Sequence, residues 1–412
     1  MSSFFEITAI FGGIGGLELG LHRHGHRTSL FCERDPEAQA VLAHHFPDVP
    51  IADDIAKTDA VASQITQTSN LLTAGFPCTD LSQAGRTQGF AGGRSSLIRE
   101  TIELLRRRPF PNVLIENVPN WRHLHRGAYM TEVLSALELL GYKWAYRTID
   151  ALAFGIPQRR HRVFVFASLE GDPREVLFHG NESAVQTELA LDQGAHGFYW
   201  TEGNRGLGWG EDCIPTLKGG SAIGIPAPPA ILMPSLEIVT PDLRDAERLQ
   251  GLPQEWTDLD GLIDSGGRRF NRRRRWHLVG NAVNVEVSSW IGEQLAVRRA
   301  YEGDEGMRLE AGESWPSAAW SDGQQRYRVA VSTWPVRRTH QPLARFLEFA
   351  GVPLSVRATA GFFDRIGRSR LHFKPGFREA VGAHLKRMES RSQMASAVKS
   401  EQRVARPRAR AA

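Results

Sequence analysis

The sequence predicts an α/β fold, a doubly wound sheet that carries a smaller loop-rich module and a C-terminal extension. Three observations point there. Five short apolar runs, Ile7 to Phe11, Ser29 to Cys32, Leu71 to Phe76, Val113 to Val118 and Val163 to Ala167, are separated by helical patterns. The first run ends in a glycine turn, Gly12-Gly13-Ile14-Gly15-Gly16, and several of the others are bounded by clusters of polar, reactive side chains. Beyond Gly171 the periodicity fades, and glycine, proline and aromatic residues take over.

Taken in order, the first run and its glycines have the form of a strand feeding a cofactor loop. A dinucleotide fingerprint needs a third glycine where Glu18 stands. The Gly-Gly-x-Gly-Gly pattern instead suits close backbone approach to a cofactor without a pyrophosphate. The second run ends at Cys32-Glu33, and Asp53-Asp54-Ile55 follows. The third opens into Pro77-Cys78-Thr79-Asp80-Leu81-Ser82, and Leu81 to Arg94 is polar, with Gly85, Gly89, Gly92 and Gly93. The fourth ends in Glu116-Asn117-Val118, and Gln158-Arg159-Arg160-His161-Arg162 opens the fifth. A polar cluster at the end of a buried strand costs stability unless function requires it. These clusters together supply a nucleophile, a carboxylic acid and guanidinium groups.

The sheet is expected to be complete by about residue 170. The module that follows, from Gly171 to about Pro241, contains Trp200, Trp209, Lys218-Gly219-Gly220 and Ile225-Pro226-Ala227-Pro228-Pro229. Val283, Val287, Trp290, Ile291 and Leu295 then recur at helical spacing, a face suited to packing back on the sheet. The expected division is a catalytic domain 1–170, a small domain 171–279, a returning helix 280–300, an extension 301–388 and a basic disordered tail 389–412. Within the extension, Arg326 to Trp334 alternates like a strand, while Leu343 to Phe349 and Val356 to Ile366 have helical spacing. Its Arg365, Arg368, Arg370 and Lys374 suit nucleic acid or a protein partner equally.

With 412 residues, 41% of them hydrophobic, and no apolar run long enough to span a bilayer, the chain reads as a soluble protein with no membrane partner. The start Met1-Ser2-Ser3-Phe4-Phe5-Glu6 has no basic, apolar secretory pattern. The three cysteines Cys32, Cys78 and Cys213 form neither a disulfide framework nor a metal ligand set, so a cytoplasmic, metal-free protein is expected. The net charge of +4 is unevenly placed: Lys386 to Ala412 holds eight Lys/Arg against two Glu, a net of +6. Arg268 to Arg275 contains six arginines without an acid. The tail reads as a solvated end and the arginine run as a phosphate contact.

The order Pro-Cys, Glu-Asn-Val and Gln-x-Arg-x-Arg resembles the DNA (cytosine-5)-methyltransferases. The glycine loop, Arg248-Leu249-Gln250-Gly251-Leu252-Pro253 and Gly280-Asn281-Ala282-Val283 extend that resemblance over roughly the first 300 residues. It implies a Rossmann-like S-adenosylmethionine-dependent methyltransferase sheet with a target recognition domain. The cofactor becomes S-adenosylhomocysteine and no metal takes part. Phe11 stacks on the adenine, Glu33 accepts from the ribose hydroxyls and Asp54 from the adenine amino group. Gly13, Gly15, Pro77, Asn281 and Val283 complete the cofactor set. Cys78 is the thiolate that adds to carbon 6 of cytosine, Glu116 the acid at N3, Arg162 the holder of O2, and Arg160 the residue that orients Glu116.

The partner implied is double-stranded DNA, with the target base flipped out under the Leu81 to Arg94 loop. Ser82, Arg94, Gln158, Arg272 and Arg274 are placed on the DNA, Gln158 also bracing its turn. Thr216, Leu217 and Lys218 are similar to the family's recognition signature, and Asn204 and Arg205 are further candidates for reading bases. A monomer is expected, with a cognate restriction or defence protein as its functional partner. An RNA cytosine-5 methyltransferase and a catalytically silent DNA-binding homologue remain as alternatives. The length of the recognition module argues against the first, and intact Cys78, Glu116, Arg160 and Arg162 against the second.

Overall fold

The computed structural model describes residues 4–76, 96–185, 187–204, 206–220, 228–259 and 271–404. Pro77, Cys78, Ser82, Arg94, Arg205, Arg268 and Arg269 lie outside them. The chain divides into two compact units, 1–186 with 246–341 and 187–245 with 342–412.

The larger unit is built on β1 (Glu6–Ile10), β2 (Arg27–Cys32), β3 (Ile51–Ala52), β4 (Leu71–Gly75), β5 (Asn112–Asn117), β6 (Lys143–Asp150), β7 (Gln158–Arg159) and β8 (His161–Ser168). The sheet runs β6-β8-β5-β4-β1-β2-β3, parallel from β3 to β5 and antiparallel where β8 is inserted between β5 and β6. All five runs read from the sequence are strands, and β6 joins them.

The sheet does not stop near residue 170. Ala318–Ser321 pairs antiparallel with β6, Arg326–Arg328 follows it, and Met307–Arg308 closes that edge. Trp315, Ala318, Trp320 and Trp334 are buried with these strands, so the part of the extension before 342 belongs to this unit.

Both sheet faces are covered, as a doubly wound sheet with apolar residues on both sides requires. Ile7, Ala9, Leu71, Leu114 and Phe164 pack with Leu17, Leu21, Val41, Leu42, Ile291 and Leu295. On the opposite face Ile10, Leu72, Val113 and Val165 pack with Val61, Leu104, Leu105, Val133 and Leu137. The expected returning helix is Val285–Val297, capped by Asn284 through Glu286 and Val287. It lies so close to the helix Gly16–His22 that a Cβ at Gly20 would collide with Ser288, and one at Gly16 with the Val283 carbonyl.

The smaller unit has an antiparallel sheet ordered Gly210–Glu211, His196–Phe198, Ala230–Leu232, Ile238–Thr240, Val352–Pro353. Its core is made by both chain segments: Phe198, Ala230, Leu232 and Ile238 pack with Leu354, Phe362, Ile366, Phe377 and Val381. His384 ties them together, its Nδ1 accepting from the Ile238 amide at 3.2 Å and its Nε2 donating to the Leu354 carbonyl at 3.0 Å. Residues 389–404, expected as part of a disordered tail, continue the helix Phe377–Val404.

Candidate active site

Glu116 is the last side chain but one on β5. Its backbone is opposite Gly75 on β4 and Phe164 on β8, which brings it level with the end of the strand that leads into Pro77-Cys78. A Cβ at Gly75 would lie 4.0 Å from Glu116 Oε2 and 3.5 Å from the Phe11 carbonyl, so β4 ends beside the carboxylate with little space to spare. Arg162 Nε meets Glu116 Oε1 at 2.9 Å, with both side chains largely buried. Burial pushes the Glu116 carboxyl above its usual range, and the Arg162 and Arg160 guanidinium charges pull against that rise. The result is a carboxyl that accepts a proton more readily than an exposed one and is fixed by a cation at one oxygen.

Arg160 is almost completely buried, with Nη2 donating to the Ala282 carbonyl at 2.7 Å and both terminal nitrogens reaching the Gly280 carbonyl at 3.3 Å. It therefore clamps the Gly280-Asn281-Ala282 turn and acts on Glu116 through its charge. The side chain in hydrogen-bond reach of Glu116 is Arg162, a redistribution of the roles expected for the pair. Asp150, which sequence reading missed, supports the turn: its Oδ1 accepts from the Arg160 amide at 2.9 Å and from the Leu152 amide at 3.2 Å. The signal was an acid ending the strand β6, obscured because β6 itself went unread. Asn117 accepts from the Val118 amide at 2.7 Å and shapes the exit of β5.

Gln158 was placed on DNA, but it is wholly buried. It donates to the Leu249 carbonyl at 2.7 Å and reaches Gln250 Oε1 at 3.3 Å, while Gln250 donates to the Val279 carbonyl at 2.8 Å. Its bracing role stands and its DNA contact is corrected, because a side chain satisfied inside the protein presents nothing to a duplex. Gln250 and the Arg248 to Pro253 block thus hold the 279–285 turn from below.

The glycine loop leaves the end of β1 through Phe11, a non-glycine residue at φ 55°. Such a conformation persists only where the surroundings enforce it, and it collects at functional sites. The enforcement is visible: the Phe11 amide donates to the Cys32 carbonyl at 2.8 Å, and its ring packs on Phe76 at 5.4 Å. Gly13 also has positive φ, and a Cβ there would meet nothing within 4 Å, so the backbone faces open space. Glu33 borders that space. Its carboxylate accepts from the amides of Gly13 at 2.7 Å and of Arg34 and Asp35 at 2.8 Å.

Asp54 accepts from the Ala56 amide at 3.0 Å and lies 3.8 Å from Arg34. Trp256, missed by sequence reading, donates to the Ile14 carbonyl at 2.9 Å and stacks on His45 at 3.4 Å, stiffening the loop from outside. Val283 presses on Gly16, and Asn281 is exposed beside His277 at 3.1 Å. Cys32 is buried, its thiol pushed up to about 12 by burial and then by Glu33, Asp54 and Asp53, which makes it inert.

The basic run is less free than it reads. Arg274 donates to Asp35 and Glu37, both at 2.8 Å, and Arg275 pairs with Asp258 at 2.9 Å. Arg274, expected on a phosphate, is thus engaged by two carboxylates of the protein. Four arginines opening the helix Arg272–Asn281 stand at the positive end of its dipole, and these carboxylates offset that. Arg272 is exposed. In the smaller unit Lys218 pairs with Glu202 at 2.8 Å over the Tyr199 ring, Leu217 is buried, and the Thr216 carbonyl accepts from Tyr199 at 2.7 Å. Among the described residues no group of three or more His, Cys, Asp or Glu is placed to hold a metal ion, and no helix is long and apolar enough to cross a membrane.

Residues 5–195 match the family model of the C-5 cytosine-specific DNA methylases. The chain is 45% identical to the Type II methyltransferase M2.BsuMI of Bacillus subtilis (strain 168) over 372 residues, 88% of this chain and 93% of that protein. That span reaches well beyond Arg298, where the motif resemblance ends. The Type II methyltransferase M.MspI of Moraxella sp is 32% identical over 169 residues, 41% of this chain and 40% of its own length. Among solved structures, the Dnmt2 methyltransferase of S. pombe shares the fold, with a TM-score of 0.53 at 16% identity, covering 71% of this chain and 98% of that one.

Proposed function

The chain belongs to the C-5 cytosine-specific DNA methylases, and from that premise we propose how its own residues carry the reaction. It is a DNA (cytosine-5) methyltransferase of restriction-modification type, a family that uses S-adenosylmethionine. The observation that supports the residue assignment best is the buried Glu116–Arg162 pair at the end of β5, level with the strand end that opens into Pro77-Cys78.

Carbon 5 of cytosine is a poor nucleophile, and attack at carbon 6 corrects this. The Cys78 sulfur forms a bond to carbon 6 while Glu116 delivers its proton to N3, so the ring becomes an enamine without accumulating negative charge. The enamine's electron pair then takes a methyl group at carbon 5. S-adenosylmethionine, when bound, supplies that methyl on a sulfonium. As the methyl is taken the N3 proton returns to Glu116, and loss of the carbon 5 proton to water with departure of the Cys78 sulfur then restores the aromatic ring. Arg162 holds the carboxyl and the cytosine O2, and Arg160 fixes the floor of the site through the Gly280 and Ala282 carbonyls.

Because carbon 6 is covered in a duplex, the base is flipped out, with Ser82 and Arg94 on the flanking phosphates. The cofactor fits the described loop: open space at Gly13, the Phe11 ring at the end of β1, and a Glu33 carboxylate with acceptor capacity left after three amides, while Gly15, at φ 78°, is packed against Phe46 and lets the loop turn. Asp54, Pro77, Asn281 and Val283 complete that set, while Thr216, Leu217 and Lys218 lie in the part of the smaller unit that reads the target.

Bisulfite sequencing of plasmid from an expressing host gives activity and target together. The Cys78→Ser protein is expected to bind cofactor and duplex but leave every cytosine unmethylated. A covalent complex with 5-fluorocytosine duplex should form with wild type alone. Turnover near wild type in the serine variant would remove Cys78 from the mechanism.

A further inference from the structure

We propose that the C-terminal segment 342–394 supplies the phosphate-binding charge of the smaller unit, through a cleft where Asn204, Arg365, Arg368 and Arg370 take the DNA backbone. This rests on duplex DNA being the substrate. The two halves of the unit have opposite charge. Residues 187–245, which contain the recognition signature, hold three Lys/Arg against eight Asp/Glu, a net of −5. Residues 342–394 hold ten against four, a net of +6. A duplex presents one negative charge for roughly every 1.7 Å of its axis, so the first half alone is repelled by the polymer it is expected to read. The second half reverses that.

The charge is concentrated at one place. The helix Val356–Arg368 ends in Arg365 and Arg368, and Ser369-Arg370 follow. The loop holding Asn204 is seated on the same helix. Gly203, at φ 121°, approaches so closely that a Cβ would lie 3.2 Å from Ile366, and Arg365 donates to the carbonyls of Trp200 at 2.7 Å and Glu202 at 3.2 Å. Asn204, Asp364, Arg365, Arg368, Ser369 and Arg370 then line one open cleft.

Arginines in a last helical turn are also what the helix dipole favours. That accounts for Arg365 and Arg368, but not for the exposed Arg370 beyond the helix or for the amide of Asn204 opposite. The single carboxylate of the lining, Asp364, pairs with Arg368 at 2.6 Å, with the two side chains 56% and 78% exposed. A surface pair of this kind is weak enough for a phosphate to displace. Contacts to phosphate position the duplex without reading it, which assigns base reading to the acidic half and grip to the basic half.

The test is a salt titration of duplex binding by the full-length protein, with the methylated site and an unrelated sequence. Arg368→Ala with Arg370→Ala is expected to weaken both duplexes by the same factor and flatten the plot of log affinity against log salt by about 2 units. Asp364→Asn, which frees Arg368, is expected to tighten binding and steepen the plot, a change that loss of structure cannot produce. A double variant that keeps the wild-type slope, or that loses affinity for the methylated site alone, overturns the proposal while wild-type methylation of duplex still stands. A wild-type protein that methylates no duplex overturns the underlying reading as well.

Discussion

In the larger unit the guanidinium groups of Arg147, Arg160, Arg162 and Arg274 are held by partners within the protein, and in the smaller unit those of Arg368 and Arg370 stand at an open edge. Arg147 on β6 is fully buried and donates to the carbonyls of Leu177, His179, Gly180 and Ser332, and burial pulls its pKa down to about 10. Arg160 clamps a turn, Arg162 holds Glu116, and Arg274 spans Asp35 and Glu37. Arg368 and Arg370 of the smaller unit instead border a cleft. A buried charge is tolerated only when paired or fully hydrogen-bonded, and it then fixes geometry. An exposed charge fixes little, but remains available to a polyanion. Catalysis needs the first kind and grip on DNA the second.

The sharpest way to break this contrast is at Glu116. Glu116→Gln keeps the shape and removes the transferable proton, so methylation is expected to fall by roughly 10²-fold or more while cofactor affinity holds. Arg162→Ala leaves the carboxyl buried without its ion pair, raising its pKa further and keeping it protonated to higher pH. Single-turnover methylation across pH reads both. The wild-type rate component that depends on protonated Glu116 should be lost as pH rises through its raised pKa, and should be absent in the glutamine variant. An unchanged profile would make Glu116 structural.

A second buried carboxyl in the same unit lacks a cation. Glu18 is buried on the helix Gly16–His22, and its Oε1 accepts from Thr73 Oγ1 at 2.7 Å, while its Oε2 has no hydrogen-bond partner. Burial raises its pKa to about 7. Because the folded value lies above the unfolded one, folding is favoured by the protonated form. That contribution is complete below about pH 4.5 and is lost as pH rises through 7. Denaturant unfolding should therefore show wild type losing roughly 1 kcal/mol between pH 6 and pH 8.5 that Glu18→Gln does not lose. Equal losses in the two proteins would mean that the carboxyl finds another partner at high pH.

Burial of charge also explains what the sequence disclosed. The strands β1, β2, β4, β5 and β8 were legible because apolar runs ended abruptly at glycine or polar clusters, and Glu116 and Arg162 were legible for the same reason. Strand β6 was not, because Arg147 in Lys-Trp-Ala-Tyr-Arg-Thr-Ile-Asp reads as exposed, and only four carbonyls from distant segments make it a core residue. The smaller unit was illegible as one body. Its strands are two or three residues long, and its core joins Phe198 to Phe362 and Phe377 across more than a hundred residues. No local pattern carries that. At Arg274 and Arg275 the basic run reads as freer than it is, since charge counted along a chain says nothing of the carboxylates facing it.

The smallest expected effect is therefore at Arg274. Removing it breaks partly exposed pairs with Asp35 and Glu37, whose guanidinium and carboxylate partners are 36%, 31% and 14% exposed. Pairs of this type contribute about 1 kcal/mol or less each, so Arg274→Ala should lower stability slightly. Asp35 also caps the helix Pro36–His45 through the amides of Glu37 and Ala38, and that cap survives the change. The consequence for DNA is the informative part. If the charge of Arg274 is spent inside the protein, the salt dependence of duplex binding stays at the wild-type slope, whereas the paired change at Arg368 and Arg370 flattens it. A loss of about one unit of slope in Arg274→Ala would mean that a phosphate displaces Asp35 and Glu37 in the complex. The larger unit would then grip DNA with the same residues that brace its fold, and the division of labour between the two units would fail at this position.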